Sequence, residues 1–166
     1  VVWIITSVYL VLTVSSCLAL WAAGMSFFDA VNHAFSIAAT GGFSTRNLSI
    51  ASFDSQLINV VTMIFMCVSA MHFGLLYAVF ATRSFKPMKN PVVGYYFMSI
   101  LVTTLLISYS LIADGGYESW GKAVLDASFN VISYMSTTGF ANCDNAQWPW
   151  LAAVGLIFVS IHCGCS

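Results

Sequence analysis

Charged residues are scarce in this sequence, and their scarcity excludes most soluble folds. Only 7% of the 166 residues are Asp, Glu, Lys or Arg, whereas a soluble domain carries about 25%. Hydrophobic residues make up 60% of the chain, and the mean hydropathy is +0.89. A core of this size is too small to bury so much apolar surface. The sequence therefore predicts an all-α membrane protein whose solvent is the lipid bilayer.

Other features that the sequence lacks exclude further classes of function. The net charge is −1, so the sequence offers no basic surface for a nucleic acid. No nucleophile paired with a base, no phosphate-binding loop and no complete set of metal ligands is present, so we do not expect an enzyme. The chain lacks an initial Met and stops within an apolar run, which predicts an internal fragment of a longer protein.

The cysteines do not form a disulfide framework. They are odd in number and scattered through apolar runs, so we interpret them as small hydrophobic residues. They are Cys17, Cys67, Cys143, Cys163 and Cys165.

An internal repeat organises the chain around two glycine-containing stretches, residues 39–44 and 136–141. A shift of 97 positions brings the two copies into register without a gap. The coinciding pairs are Asp29 and Asp126, Ala30 and Ala127, Ser36 and Ser133, Thr40 and Thr137, Gly42 and Gly139, and Phe43 and Phe140. An internal repeat of this kind determines the fold class that the sequence predicts.

The first copy, residues 1–82, combines two long apolar segments with one short one. Residues 1–23 and 56–80 are long enough to span the bilayer. Between them, residues 27–38 form a short helix, opened by a capping box of Ser26 and Asp29. At ~1.5 Å per residue, such a helix crosses only about half of a ~30 Å hydrocarbon core. We therefore predict a re-entrant pore helix followed by a filter loop at residues 39–44.

The second copy, residues 92–166, repeats this order. We predict a span at residues 92–113, a pore helix at 120–135, a filter loop at 136–141 and a truncated span at 148–166. The basic connector, residues 83–91, holds three of the five basic residues. The positive-inside rule places it in the cytoplasm, so both filter loops face outward, which in a bacterial inner membrane is the periplasm.

The two loops have the composition of a cation filter. Backbone carbonyls can replace the water around a monovalent cation without trapping it. We expect Gly41, Gly42 and Gly139 to adopt the unusual dihedrals this requires, which a β-branched residue would not tolerate. The C-terminal end of each half-helix is partially negative and favours a cation.

Other residues of the loops have expected roles as well. Thr40 and Thr137 can add a hydroxyl at the inner end. Phe43 and Phe140 are expected to wedge against surrounding helices. The predicted K⁺ site is Thr40, Gly41, Gly42, Phe43, Thr137, Thr138, Gly139 and Phe140.

This order of span, pore helix, Thr-x-Gly-Phe loop and span resembles the Trk/Ktr/HKT superfamily of potassium transporters, in particular its bacterial TrkH-type membrane subunit. The first copy carries the resemblance in Asp29-Ala30-Val31-Asn32-His33-Ala34-Phe35, ahead of its loop. The second carries it in Phe129-Asn130-Val131-Ile132-Ser133. The terminal Cys163-Gly164-Cys165-Ser166 is similar to the start of the family's Gly-rich interruption of a pore-lining helix.

The resemblance implies a K⁺-channel-like pore of four repeats, of which this sequence supplies the second and third. It implies potassium uptake across the bacterial inner membrane, with K⁺ as the transported ion and no organic cofactor. It also implies a homodimer of the membrane subunit and a cytosolic, TrkA-like nucleotide-binding regulatory subunit. Glycine at both Gly42 and Gly139 matches the family's potassium-preferring pattern. The Gly-rich interruption would place a gate at Gly164, Cys165 and Ser166.

Two other functions stay open at this point. If both loops are ordinary interhelical turns, the chain is a non-transporting membrane scaffold. Paired haem ligation in a membrane electron-transfer subunit would draw on His33, His72 and His162, which are otherwise hydrogen-bonded side chains.

Three charged residues near the loops also have two interpretations. Asp29 and Asp126 either attract cations at the outer mouth or complement the positive N-terminal ends of their helices. Arg46 is expected to make a surface contact rather than to select ions.

Overall fold

The computed structural model describes residues 2–71, 76–79 and 90–164. The main α-helices there are α1 (Val2–Ala22), α2 (Phe27–Ala38), α3 (Gln56–Ser69), α4 (Pro91–Ala113), α5 (Trp120–Met135) and α6 (Trp150–Gly164). Short 3₁₀ helices at Ser49–Phe53 and Asn145–Gln147 follow the two glycine loops. Within these ranges there is no strand, so the prediction of an all-α fold is confirmed for the described residues.

Two of the helices are long and apolar enough to cross a membrane. They are Ile5–Ala22, within α1, and Pro91–Ala113, which is α4. At ~1.5 Å per residue, the 23 residues of α4 extend about 35 Å. The outer faces of both helices expose leucines, among them Leu10, Leu18, Leu101, Leu105 and Leu106. A surface of this kind suits contact with lipid.

The helix predicted over residues 56–80 is shorter than expected. It begins at Gln56, where the Ser55 side chain accepts a hydrogen bond from the Ile58 N–H, but it ends at Ser69. The Ser69 hydroxyl donates to the Met66 carbonyl at 3.0 Å, a local bond that competes with helix continuation. Residues 76–79 are helical again.

Local capping signals explain where α2 and α4 begin. The Ser26 hydroxyl accepts from the Asp29 N–H at 3.1 Å and donates to the Asp29 carboxylate at 2.9 Å, so the predicted cap at the start of α2 is present. The Asn90 side chain caps α4, with Pro91 in the first turn. The basic side chains of the predicted connector lie outside the described residues, as do His72, Cys165 and Ser166.

A shared core joins the two halves of the chain. Leu20, Ile37 and Met66 from the first half pack in one cluster with Phe129 and Phe140 from the second. Helix α3 also contacts α5 directly. The second half has a further cluster of its own between α4, α5 and α6. Packing between the two halves therefore holds the two glycine loops next to each other.

Candidate functional site

The first short helix ends in a Schellman motif that leads into the first loop. The Thr40 N–H donates to the Ile37 carbonyl at 3.1 Å, and the Gly41 N–H donates to the Ser36 carbonyl at 2.8 Å. This pair of bonds satisfies two carbonyls at a helix end and requires a left-handed residue just past the cap. Thr40 is that residue, with φ 48°.

The second short helix ends in the same way. The Thr137 N–H donates to the Tyr134 carbonyl at 3.1 Å, and the Thr138 N–H donates to the Ser133 carbonyl at 3.0 Å. Thr137 is left-handed, with φ 55°. The internal repeat of the sequence is therefore a repeat of backbone geometry.

Both loops alternate between ordinary and left-handed residues. After each threonine, the second residue on is again left-handed: Gly42 has φ 68° and Gly139 has φ 87°. The expectation that only glycines take these dihedrals is wrong, because β-branched Thr40 and Thr137 share them whereas Gly41 does not. The Schellman bonds impose the conformation on whichever residue follows the cap.

The threonine conformation carries strain. A left-handed L-residue costs about 1–2 kcal/mol, and a β-branched residue there is an outlier. Such strain persists only where the surroundings enforce it, and it concentrates at functional sites. The same strain at the same place in both repeats marks these loops as the candidate site.

The two loops touch each other backbone to backbone. A Cβ placed on Gly42 would lie 2.1 Å from the Thr138 carbonyl oxygen and 3.3 Å from the Gly139 carbonyl carbon. A Cβ on Gly139 would meet nothing within 4 Å. Gly42 is therefore required by close approach as well as by its dihedral, whereas Gly139 borders open space.

Further backbone contacts fix the second loop against the first repeat. The Ala141 N–H donates to the Ser49 hydroxyl at 3.3 Å, and the Ala51 N–H donates to the Ala141 carbonyl at 3.2 Å. The 3₁₀ helix after the first loop thus borders the second loop.

The two loop phenylalanines differ in environment. Phe140 is 1% exposed and stacks on the His33 ring, with centroids 5.6 Å apart. Its carbonyl accepts a hydrogen bond from the Ser133 hydroxyl at 2.6 Å. Phe43 is 81% exposed, so within the described part of the chain Phe140 wedges against a neighbouring helix and Phe43 does not.

A charged cluster supports the first loop from behind. The Asp29 carboxylate accepts from the Thr45 hydroxyl at 2.5 Å and from the Arg46 guanidinium at 3.0 Å. The Thr45 hydrogen bond contributes most to lowering the pKa of Asp29 to about 2, and bonds from Arg46 and Ser26 add to it against the opposing effect of burial. Arg46 also lies over the Phe53 ring.

His33 belongs to the same support. Its ring is fully buried; Nδ1 lies 2.7 Å from the Asp29 carbonyl and Nε2 lies 2.9 Å from the Ser44 hydroxyl. Both nitrogens are therefore engaged by hydrogen bonds, which favours the interpretation of His33 as a hydrogen-bonded side chain over haem ligation.

A cluster of uncharged side chains around Asp126 supports the second loop at the equivalent positions. The Asp126 carboxylate accepts from the Tyr117 hydroxyl and from the Asn142 amide, each at 2.9 Å. Asn130 donates to the Asp126 carbonyl at 2.9 Å and to the Asn142 side-chain oxygen at 3.0 Å. Burial raises the pKa of Asp126, against the hydrogen bonds that lower it.

The sequence reasoning missed these supporting side chains. They could have been found by aligning the two copies with a shift of 97 positions, because this alignment pairs His33 with Asn130 and Thr45 with Asn142. Each pair keeps a polar side chain in both copies. Within the described ranges, no group of three His, Cys, Asp or Glu side chains is placed to hold a metal.

Membrane-length helices around two strained, adjoining loops define an all-helical membrane protein built from an internal repeat. Residues 1–113 match the profile of the TrkH family, described as cation transport proteins. The chain belongs to this family, and the resemblance to the Trk/Ktr/HKT superfamily is confirmed.

Its relatives include the Trk system potassium uptake protein TrkH of Vibrio parahaemolyticus, 36% identical over 162 residues and 96% of this chain. TrkH of Escherichia coli K12 is 35% identical over 164 residues, and TrkG of that strain is 32% identical over 144 residues. These matches cover 33%, 33% and 30% of the three relatives. The chain thus spans about a third of their length.

The fold is similar to a solved structure of the same family. The crystal structure of the potassium transporter TrkH from Vibrio parahaemolyticus superposes with a TM-score of 0.86 at 36% identity. The match covers 92% of this chain and 33% of that one.

Proposed function

We propose that this chain forms part of a K⁺ uptake pathway, with the two glycine loops as two sides of its ion filter. The observation that carries the proposal is the backbone contact between Gly42 and the Thr138 carbonyl. Two adjoining loops of equal backbone geometry can offer their carbonyl oxygens to one ion. Relatives at 36% and 35% identity are named potassium uptake proteins.

The proposed ion ligands are backbone carbonyls of residues 40–43 and 137–140. The Phe140 carbonyl already accepts a hydrogen bond from the Ser133 hydroxyl. The carbonyls of residues 137–139 are therefore the more available ion ligands of the second loop. The Thr137 hydroxyl donates to the Ser136 carbonyl at 2.7 Å, so its oxygen retains lone pairs for a cation at the inner end.

The packing of the loops supports a ring of more than two repeats. Phe140 of the second repeat stacks on His33 of the first repeat. In the described part of the chain, no ring packs on Phe43 as His33 packs on Phe140, and the space beside Gly139 is open. A further repeat on either side would fill these places, and head-to-tail contacts form a ring where the rotation between neighbours closes. We propose that α1 to α3 and α4 to α6 are two span–pore-helix–span repeats of four.

The remaining features of the transporter follow from this assignment as proposals. The filter loops face the periplasm across the bacterial inner membrane, and the basic connector faces the cytoplasm. The full-length subunit forms a homodimer and binds a cytosolic nucleotide-binding subunit. The gate lies near Gly164, the last described residue of α6.

Gly139→Ser is expected to lower the discrimination between K⁺ and Na⁺ in the intact transporter. A Cβ at Gly139 enters space that is open in this chain and that the next loop would border in a ring of four repeats, so the added hydroxyl would lie beside the ion path. The measurement is uptake of both ions in a host deficient in potassium uptake.

Gly115→Ser is the matched control for this change. Gly115 also has a left-handed φ, 77°, and open space around its Cβ, but it lies in the turn after α4. We expect wild-type discrimination from this variant. If Gly139→Ser behaves like Gly115→Ser, the loops are turns of a membrane scaffold and the proposal is wrong.

A further inference from the structure

Asp29, in the first turn of α2, and Asp126, in the second turn of α5, make equivalent contacts with the segments that follow the two loops. Asp29 binds Thr45, and Asp126 binds Asn142, at 2.5 and 2.9 Å. Both partners lie 16 residues after their aspartate. The two carboxylates are 3% and 6% exposed, so these are buried, charge-assisted hydrogen bonds of the stronger kind.

A second bond one helical turn further on reinforces each contact. His33 bridges the Asp29 carbonyl to Ser44, and Asn130 bridges the Asp126 carbonyl to Asn142. His33 and Asn130 are both fully buried. Each loop is thus fixed at its inner end by the Schellman bonds and at its outer end by two side chains of the same helix.

We propose that Asp29 and Asp126 are positioning residues of the ion filter. Each holds the segment that follows its loop against its own half-helix, and we call this contact the clamp. The proposal rests on the proposed function, since it assigns these side chains to the ion site. Neither carboxylate reaches the ion; each sets the spacing of the carbonyls. A strained loop with left-handed threonines needs such external support.

The second clamp allows a test by exchange of partners. In Asp126→Asn, one acceptor oxygen faces two donors, Tyr117 and Asn142, so one donor is left unpaired. In Asn142→Asp, two carboxylates face each other across 2.9 Å. The double variant Asp126→Asn/Asn142→Asp restores the bond with the donor on the helix and the carboxylate on the loop. It also keeps the net charge.

The measurement is the K⁺/Na⁺ uptake ratio, together with the apparent KM for K⁺, per folded intact transporter in liposomes. We expect each single variant to lower the ratio about tenfold, as for loss of one charge-assisted hydrogen bond. We expect the exchange to restore it to within about twofold. Asp114→Asn, which removes an exposed carboxylate in the turn after α4, should match the wild type.

Three outcomes would overturn the clamp. The single variants could keep the wild-type ratio, the exchange could fail to improve on them, or the folded amount could fall while the ratio per folded transporter stays constant. In each of these three cases, the proposed function is still supported if the wild-type protein takes up K⁺ selectively. A wild-type protein that carries no K⁺ would instead overturn the proposed function, and the clamp with it.

Discussion

Gly42→Ala is expected to reduce K⁺ uptake by about 100-fold, because the added methyl group has no room. Its Cβ would lie 2.1 Å from the Thr138 carbonyl oxygen, a backbone atom that moves only if the second loop moves. The left-handed dihedral adds strain of about 1–2 kcal/mol. Positioned sites lose about 100-fold for a displacement of ~1 Å. The measurement is growth and ⁸⁶Rb⁺ uptake in a host without its own potassium uptake.

Gly115→Ala is the matched control. It imposes the same kind of dihedral strain, at φ 77°, and meets nothing within 4 Å, but Gly115 lies in the turn after α4. We expect a folded protein whose uptake falls much less than that of Gly42→Ala. Equal uptake in Gly42→Ala and the wild type would mean that the loops do not adjoin as described, and the shared filter would be excluded.

Phe140→Ala is expected to destabilise the protein by about 3–5 kcal/mol, the usual range for a fully buried phenylalanine. Phe140 is 1% exposed and joins the two halves through the core and the His33 ring. Its loss leaves a cavity at the junction of the repeats. The measurement is thermal unfolding of the purified intact transporter in detergent. An unfolding temperature equal to that of the wild type would contradict the packing.

Phe43→Ala tests the number of repeats in the same measurement. Phe43 is 81% exposed here, so in a protein of only these two repeats its loss costs little. In a closed ring of four repeats, Phe43 packs against a preceding pore helix and its loss costs nearly as much as that of Phe140. Phe28, 70% exposed at the start of α2, is the control; Phe28→Ala is expected to unfold like the wild type.

The bounds of the short helices were predictable because their signals are local. Ser26 and Asp29 cap the first turn of α2, and glycines or small residues follow the last turn of each short helix. The register of 97 positions correctly predicted that the two loops are equivalent. These features depend on neighbours within a few residues, which the sequence displays directly.

The errors arose where tertiary contacts decide the outcome. The left-handed threonines follow from bonds that close only when the helix end is formed, and residue preference alone assigns that conformation to glycine. The different environments of Phe43 and Phe140 depend on which repeat lies next to each loop. The partners of Asp29 and Asp126 lie 16 residues away, beyond the reach of a local motif.

In the proposed filter, one dehydrated alkali-metal ion is held between the two loops. X-ray diffraction from crystals of the intact transporter grown with Rb⁺ tests it most directly, through the anomalous scattering of that ion. We expect an anomalous peak bounded by backbone oxygens of residues 40–42 and 137–139. Rb⁺ peaks confined to other parts of the protein, at concentrations that saturate uptake, would contradict it.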